Sequence, residues 1–570
     1  MARVVRFLVV PLMFAVVLVT IVRAAGDTAL SKAVKAGDLA TVKKLITSRA
    51  DVNVVSGDGS SPLLWAVHNF DLDMVKALLA AGAKVDVANN YGVTPLLDAS
   101  RAGDPVLMEL LLKAGADPKR THPEGETPLM AASRAGSLPA VRLLLSRGVD
   151  VNATDAFQQQ TALMWASAEG HVDVVDALLK AGADPNRKAR VTSLTQRKNA
   201  DHPTGGFTAL MWAARNGQEE TVRRLVQGGA DMTLKNGDGA SATMTAIYND
   251  RFDLAATLVE LGSDVNDGSL YTAVEMRDST TDQFAFDGSR LRPDNPNKLT
   301  ALDLIGLLLD RGADPHKPFV GQFHSTSMPN SDRFDNSPFF RSAVSSDVEA
   351  LKVFIAHKVD LDKLPIIVPP AEKEKEDDQP EDAPAGRGRG NPNAGRTAAM
   401  VTMTGGRAPQ MTGGPGYLRS GDAPYREKGS RKPAEAFAVL LKAGANPNAK
   451  APDGSTLLHQ AAQAANLDMI RALADAHVKF DEPNKDGLTA LDVAEGKQPA
   501  GAAAAGRGAR GGRGAPPAGG GARGRGGRGG GTTPQDVAKL LRELMGLPPA
   551  PPAPATPEAP SEAAPAGDQQ

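Results

Sequence analysis

Residues 94–118 read TPLLDASRAGDPVLMELLLKAGADP, and the pattern of this stretch returns along the 570-residue chain. Each copy opens with Thr or Ser and ends with an apolar run and a polar turn. The first five openings are 33, 33, 33 and 34 residues apart, at Thr28, Ser61, Thr94, Thr127 and Thr161. Later copies open at Thr208, Ser241, Ser337, Thr456 and Thr489. A fixed period of this length predicts a protein of stacked repeats, about eleven or twelve between Asp27 and Met545.

The residues of one copy predict two short helices joined by a turn. Thr94 is suited to cap the first helix, because its hydroxyl accepts a hydrogen bond from a free backbone N–H group. Pro95 follows at the first helical position, where its missing N–H costs nothing, and Gly103 ends the helix in a left-handed conformation. Val and Leu at three- and four-residue spacing then predict a second, amphipathic helix. Asp-Gly pairs such as Asp58-Gly59 predict the turn that leads to the next copy.

This pattern resembles the ankyrin-repeat family, whose units read D-G-x-T-P-L-H-x-A-A…G-A-D-x-N. The resemblance implies an all-α solenoid of about 11–12 helix–turn–helix units, with short hairpins and disordered insertions. The family's His survives only as His459. An apolar residue replaces it at Leu64, Leu97, Met130, Met164 and Met211. We therefore expect apolar packing at this position instead of a polar link between repeats.

Segments of different composition interrupt the repeats. The largest contains a charged run at 372–378, and a later one places six Arg among Gly and Ala without an acidic residue. The predicted organisation is a signal peptide at 1–24, the N-terminal part of the solenoid at 25–362, a largely disordered insertion at 363–432 with a degenerate half-repeat near 396–404, further repeats at 433–496, a Gly/Arg-rich disordered loop at 497–534, a terminal helix at 535–545 and a disordered Pro/Ala tail at 546–570.

The N-terminus carries the features of an export signal. Arg3 and Arg6 precede an uncharged run from Phe7 to Val22. As a helix this run would be about 24 Å long, too short for a bilayer core of about 30 Å. The residues VRA at 22–24 are typical of a cleavage site. We expect cleavage after Ala24 and an exported, bacterial protein in the periplasm or outside the cell, with no membrane span in the mature chain; an uncleaved anchor is the alternative.

Composition and motifs give no sign of catalysis or of a bound cofactor. The 64 basic and 66 acidic residues leave a net charge of −2, which does not favour nucleic acid or an anionic membrane. The absence of Cys excludes disulfides, thiolate catalysis and Cys-ligated zinc. The nine His are scattered without metal-ligand spacing, and no metalloprotease, phosphate-loop or Ser-hydrolase motif occurs. We expect no enzyme activity, cofactor, metal or small-molecule substrate.

The candidate binding residues occupy two recurring positions of the first helix. Most copies have a Leu two residues after the opening Thr or Ser, such as Leu96 after Thr94. We call the residue two positions after this recurring Leu the Trp position. It holds Trp65, Trp165 and Trp212, which are the three Trp of the chain. Five residues after that Leu (the Arg position) lie Arg101, Arg134 and Arg215. Equivalent residues of stacked repeats project in the same direction, and Trp and Arg dominate many interfaces. The alternatives are buried core Trp side chains and Arg side chains solvated near the helix C-terminus.

The sequence thus predicts an exported, non-catalytic scaffold that binds another protein on the concave face formed by its first helices. The alternative is an envelope-anchored or polyanion-binding adaptor, because Arg-Gly runs can contact phosphates. Those runs lack the interleaved Phe or Tyr that would stack on bases, so we expect no nucleic-acid partner. The composition of these Arg-Gly runs would also be explained by a flexible linker.

Overall fold

A computed structural model describes residues 28–193, 203–278, 297–319, 337–364, 396–403, 433–497 and 532–549. The predicted signal peptide at 1–24, the charged run at 372–378 and the six-Arg segment within 497–534 lie outside the described residues. The tail beyond residue 549 does too. Within the described ranges, no helix has both the length and the apolar character needed to cross a membrane.

The described residues belong to two units, of which the first comprises residues 28–319. Its helices come in consecutive pairs, which we number repeats 1 to 8. They are α1 Ala29–Lys35, α2 Leu39–Thr47, α3 Pro62–His68, α4 Leu72–Ala80, α5 Pro95–Ala102, α6 Pro105–Lys113, α7 Pro128–Arg134, α8 Leu138–Leu145, α9 Ala162–Glu169, α10 Val172–Lys180, α11 Ala209–Asn216, α12 Glu219–Gln227, α13 Ala242–Tyr248, α14 Phe252–Glu260, α15 Ser269–Asp278 and α16 Ala301–Asp310. Two strands, β1 Val191–Ser193 and β2 Pro203–Gly205, separate repeats 5 and 6.

The second unit comprises the described residues of 337–549 and contains repeats 9 to 12. Its helices are α17 Pro338–Ser345, α18 Val348–Ala356, α19 Ala398–Met403, α20 Pro433–Lys442, α21 Leu457–Gln463, α22 Leu467–Asp475, α23 Ala490–Ala494 and α24 Pro534–Leu544. Helix α19 lies where the sequence indicates a degenerate half-repeat, and it packs against α20 although 29 residues separate them. An insertion of this length can split a helix pair because loop closure costs little more as the loop grows.

Side-chain caps start the first helices as expected from the sequence. In repeat 3 the Thr94 hydroxyl accepts a hydrogen bond from the Leu97 N–H at 3.2 Å, and Pro95 takes the first helical position. The same bond is made by Thr28, Ser61, Thr127, Thr161, Thr208 and Ser241. Each cap satisfies one of the N–H groups that a helix start leaves without a partner.

Apolar packing between neighbouring repeats forms the core of the first unit. First helices pack on adjacent first helices, and second helices pack on adjacent second helices. The position that replaces the family's His is buried in repeats 2 to 6, so the expectation of apolar packing is confirmed there. In the second unit His459 keeps the polar link, because its ring nitrogen Nε2 lies 2.8 Å from the backbone carbonyl of Leu488 in the next repeat.

Asparagine side chains add polar links between repeats at the closing turns. In repeat 1 the Asn53 Oδ1 accepts a hydrogen bond from the Lys84 N–H at 2.7 Å, and its amide donates to the Gly82 carbonyl at 3.3 Å. The same pair of bonds is made by Asn152, Asn186 and Asn266 to the following repeats. Adjacent turns are therefore held in a fixed register.

The turn between the two helices of a repeat requires Gly where the next repeat approaches closely. Gly136 has a φ of 72°, and a Cβ added to it would lie 2.6 Å from the imidazole ring of His171. That ring places Nε2 2.9 Å from the carbonyl of Arg134. The left-handed backbone and the packed imidazole both exclude a side chain at residue 136.

The hairpin between repeats 5 and 6 is an antiparallel pair of strands that the sequence analysis did not foresee. Val191 of β1 pairs with Gly205 of β2. The hairpin base is joined to both neighbouring turns, since the Arg190 N–H donates to the Gln158 carbonyl and the Gly237 N–H donates to the Gly205 carbonyl. A further bond, from the Ala189 N–H to the Phe207 carbonyl, holds the start of repeat 6.

Candidate binding face

The three Trp side chains lie at the surface of their first helices. Trp65, Trp165 and Trp212 are half-buried, whereas the residues on either side of them in α3, α9 and α11 are buried. The Arg side chains at the Arg position are exposed. The Trp rings are thus partly available to a partner, while the residues on either side of them belong to the core.

Four of the six candidate residues form two Arg–Trp contacts in repeats 4 to 6. The Arg134 guanidinium of α7 lies over the Trp165 ring of the next repeat, 5.3 Å from its centroid. The Arg215 guanidinium lies 5.3 Å from the centroid of Trp212 in its own helix. Phe207 packs on Trp212 with ring centroids 5.1 Å apart. We call these five residues the Trp165–Trp212 cluster.

Trp65 belongs to a separate cluster in repeats 1 and 2. The Lys35 ammonium group lies 4.5 Å from the centroid of the Trp65 ring, and His68 meets that ring edge-on at 5.8 Å. Repeats 3 and 4 place Asp98 and Ala131 at the Trp position. The six candidates therefore do not form one continuous aromatic stripe.

Arg101 forms an ion pair, which distinguishes it from the other two Arg candidates. Its guanidinium binds the carboxylate of Glu126 in the turn of the next repeat, with Nε 3.1 Å from Oε2. Nearby, burial raises the pKa of the Asp98 carboxyl above its usual value, although His68 and Arg101 act in the opposite direction. The positive charge of Arg101 is thus already compensated within the chain.

The indole N–H groups of the larger cluster have no hydrogen-bond partner. Within the described part of the chain, Nε1 of Trp165 and Nε1 of Trp212 are buried and unpaired. Trp65 differs, because its Nε1 donates to the Ser56 hydroxyl at 3.3 Å. A buried, unpaired donor costs about 1–3 kcal/mol. An apolar side chain of similar size at position 165 or 212 would avoid this cost.

The sequence analysis missed several residues of this face. Lys35 and His68 occupy the Arg position of repeats 1 and 2, and the recurring Leu would have identified them. Two aromatic side chains stand at the hairpin tips, where Tyr91 is 70% exposed and Phe157 is 72% exposed. They could have been found as the aromatic residues of the turns between repeats.

Comparison with known proteins identifies the repeats. A family model described as ankyrin repeats (3 copies) matches residues 30–122, 97–189, 190–269 and 429–501. The chain belongs to the ankyrin-repeat family. The expected family and the all-α fold are therefore confirmed, and such repeats are generally non-catalytic modules for protein–protein interaction.

Two solved ankyrin structures are similar to parts of this ankyrin-repeat chain. The human ASB11 ankyrin repeat domain is 28% identical, and the match covers 38% of this chain and 90% of that domain with a TM-score of 0.32. The ankyrin repeat domain of Bcl-3, a member of the IkappaB protein family, is 29% identical over 39% of this chain and 94% of that domain, also with a TM-score of 0.32. No curated protein matches the chain in sequence.

We expect three substitutions in the same ankyrin helix, α11, to differ in their effect on local stability. Leu210→Ala removes a buried side chain and should cost about 2–5 kcal/mol, whereas Arg215→Ala removes only an exposed stacking contact worth about 0.5–1 kcal/mol. Trp212→Ala should fall between them, because its ring is half-buried. Native-state hydrogen exchange of the α11 amides measures all three. An Arg215→Ala cost equal to that of Leu210→Ala would contradict the surface placement of this side chain.

Proposed function

We propose that the first-helix face of repeats 2 to 6 binds another protein, with the Trp165–Trp212 cluster as its main anchor. The chain would act as a non-catalytic scaffold. The observation that carries this proposal is the pair of half-exposed Trp rings, each with an exposed Arg guanidinium stacked on it. Trp and Arg are the residues most often responsible for binding energy at interfaces.

The unpaired indole N–H groups support a role beyond folding. Trp165 and Trp212 each bury a donor without a partner, and Leu at the same position would avoid this cost. Buried polar groups without a hydrogen-bond partner are uncommon in native proteins, and each one calls for an explanation. A partner that covers the half-exposed rings would explain why Trp is kept there.

The stacked arrangement also reduces the cost of binding. A free Arg side chain loses much rotational freedom when a partner immobilises it. Arg134 already lies against Trp165, and Arg215 lies against Trp212 and Phe207. Because the rings restrict these side chains before a partner arrives, less freedom remains to be lost.

A photo-crosslinker placed on this face tests the proposal. Ala168 is half-buried and occupies the Arg position of repeat 5, between the two Arg of the cluster. We expect p-benzoylphenylalanine at Ala168 to give a discrete protein adduct in the native cells, because a bound partner would cover that position. Arg215→Ala should lower the adduct yield, since loss of an interface anchor weakens binding by about 1–4 kcal/mol.

The matched control is the same crosslinker at Lys113, whose side chain is 64% exposed at the end of the second helix α6. The proposal expects no adduct from this position. Equal adducts from Lys113 and Ala168, or no adduct from Ala168, would contradict it.

We further propose that the chain is exported and acts in the periplasm or outside the cell. The proposal is supported by the basic start, the short apolar run and the VRA segment at 22–24. Mass spectrometry of the protein from its native cells should find Ala25 as the first residue. An intact Met1 in the membrane fraction would favour the uncleaved anchor, and an intact Met1 in the cytoplasmic fraction would contradict export.

A further inference from the structure

The charges on the first-helix face are not all compensated. Arg101 is paired with Glu126, and His68 lies beside Asp98 with Nδ1 3.3 Å from Oδ2. Arg134 and Arg215 contact aromatic rings instead, and neither has a carboxylate partner within the part of the chain that the structure describes. Repeats 4 and 6 therefore present two positive charges that no carboxylate of the described residues neutralises.

Contact with an aromatic ring leaves these two guanidinium groups able to bind carboxylates. A guanidinium has five N–H donors and can lie over an aromatic ring while donating hydrogen bonds to an anion. Its N–H edges match the two oxygens of a carboxylate, and such charge-assisted bonds are among the strongest in proteins. Among helices α7, α9 and α11, only α9 contains an acidic residue, Glu169. Glu169 directly follows Ala168, which occupies the Arg position of α9, and its side chain is therefore turned about 100° around the helix from that position.

The spacing between the two Arg residues limits what can bind both. The Arg134 guanidinium lies over Trp165 of the intervening helix α9, and the Arg215 guanidinium lies over Trp212 of α11. Packed helices lie about 8–10 Å apart, so the two charges are roughly one helix spacing apart. An extended peptide rises about 3.3 Å per residue and covers this span in about two to four residues. Between them the Arg position holds Ala168, whose small side chain leaves room for a peptide to pass.

We propose that Arg134 and Arg215 each bind a carboxylate of one extended acidic segment of the partner protein. The two acidic residues would lie about two to four positions apart, and the segment would pass Ala168 and cover Trp165 and Trp212. This inference rests on the protein-binding function and adds the chemical class of the partner.

An array of synthetic peptides tests the inference with the full chain. Each twelve-residue Gly/Ser peptide carries two Glu residues separated by two to nine positions, and a matched copy carries Gln instead. We expect retention to be highest at a separation of two to four, to fall at longer separations and to be lost in the Gln copies. Arg134→Gln and Arg215→Gln should each weaken binding of the best peptide by about tenfold or more, as expected for hydrogen bonds to charged groups.

Arg147→Gln is the control, because Arg147 is exposed beyond the second helix α8 and its loss changes the net charge equally. It should leave peptide binding unchanged, and circular dichroism should show that all three variants fold. Retention that is independent of Glu spacing, or that falls equally in Arg147→Gln, would overturn the inference. If no acidic peptide binds while Ala168 still gives its adduct, the acidic-segment inference alone fails; if the adduct is absent too, the protein-binding function also fails.

Discussion

Each helix pair of this chain buries its apolar side against the pairs next to it, and the rest of the structure depends on that constraint. First helices contact first helices and second helices contact second helices. In repeats 1, 4, 5 and 7, the Asn53-type links join the closing turn to the next one. The stability of such a stack is close to the sum of the stabilities of its repeats and of the interfaces between neighbouring repeats. A defect in one repeat should therefore weaken its neighbours first.

The same constraint creates the binding face. Because the repeats stack in register, side chains at one position of successive first helices lie in a row, and the proposed partner would meet them together. The repeats use this row differently: repeat 3 neutralises its Arg with Glu126, whereas repeats 4 and 6 hold theirs on Trp rings. The backbone of this surface is therefore regular, whereas its side-chain contacts differ from repeat to repeat. Among the described residues of this row, the Arg side chains without a carboxylate partner belong to repeats 4 and 6.

The sequence predicted the repeat period, the Thr and Ser caps and the apolar position at Leu97 and Met130, because each depends on residues close together in the chain. It did not predict the β1–β2 hairpin or the contact of Phe207 with Trp212, which depend on how an irregular segment meets its neighbours. Nor could it separate Arg101 from Arg134. Their positions are equivalent, and only the fold shows that one meets a carboxylate and the other an indole ring.

The central claim is that a partner covers the Trp165–Trp212 cluster. Hydroxyl-radical footprinting of the chain with its crosslinked partner protein measures this directly, since Trp oxidises readily and the chain contains three Trp. We expect oxidation of Trp165 and Trp212 to fall severalfold in the complex, while Leu547, which is 41% exposed in the second unit, stays unchanged. Unchanged oxidation of both Trp residues, with protection confined to the second helices, would contradict the claim.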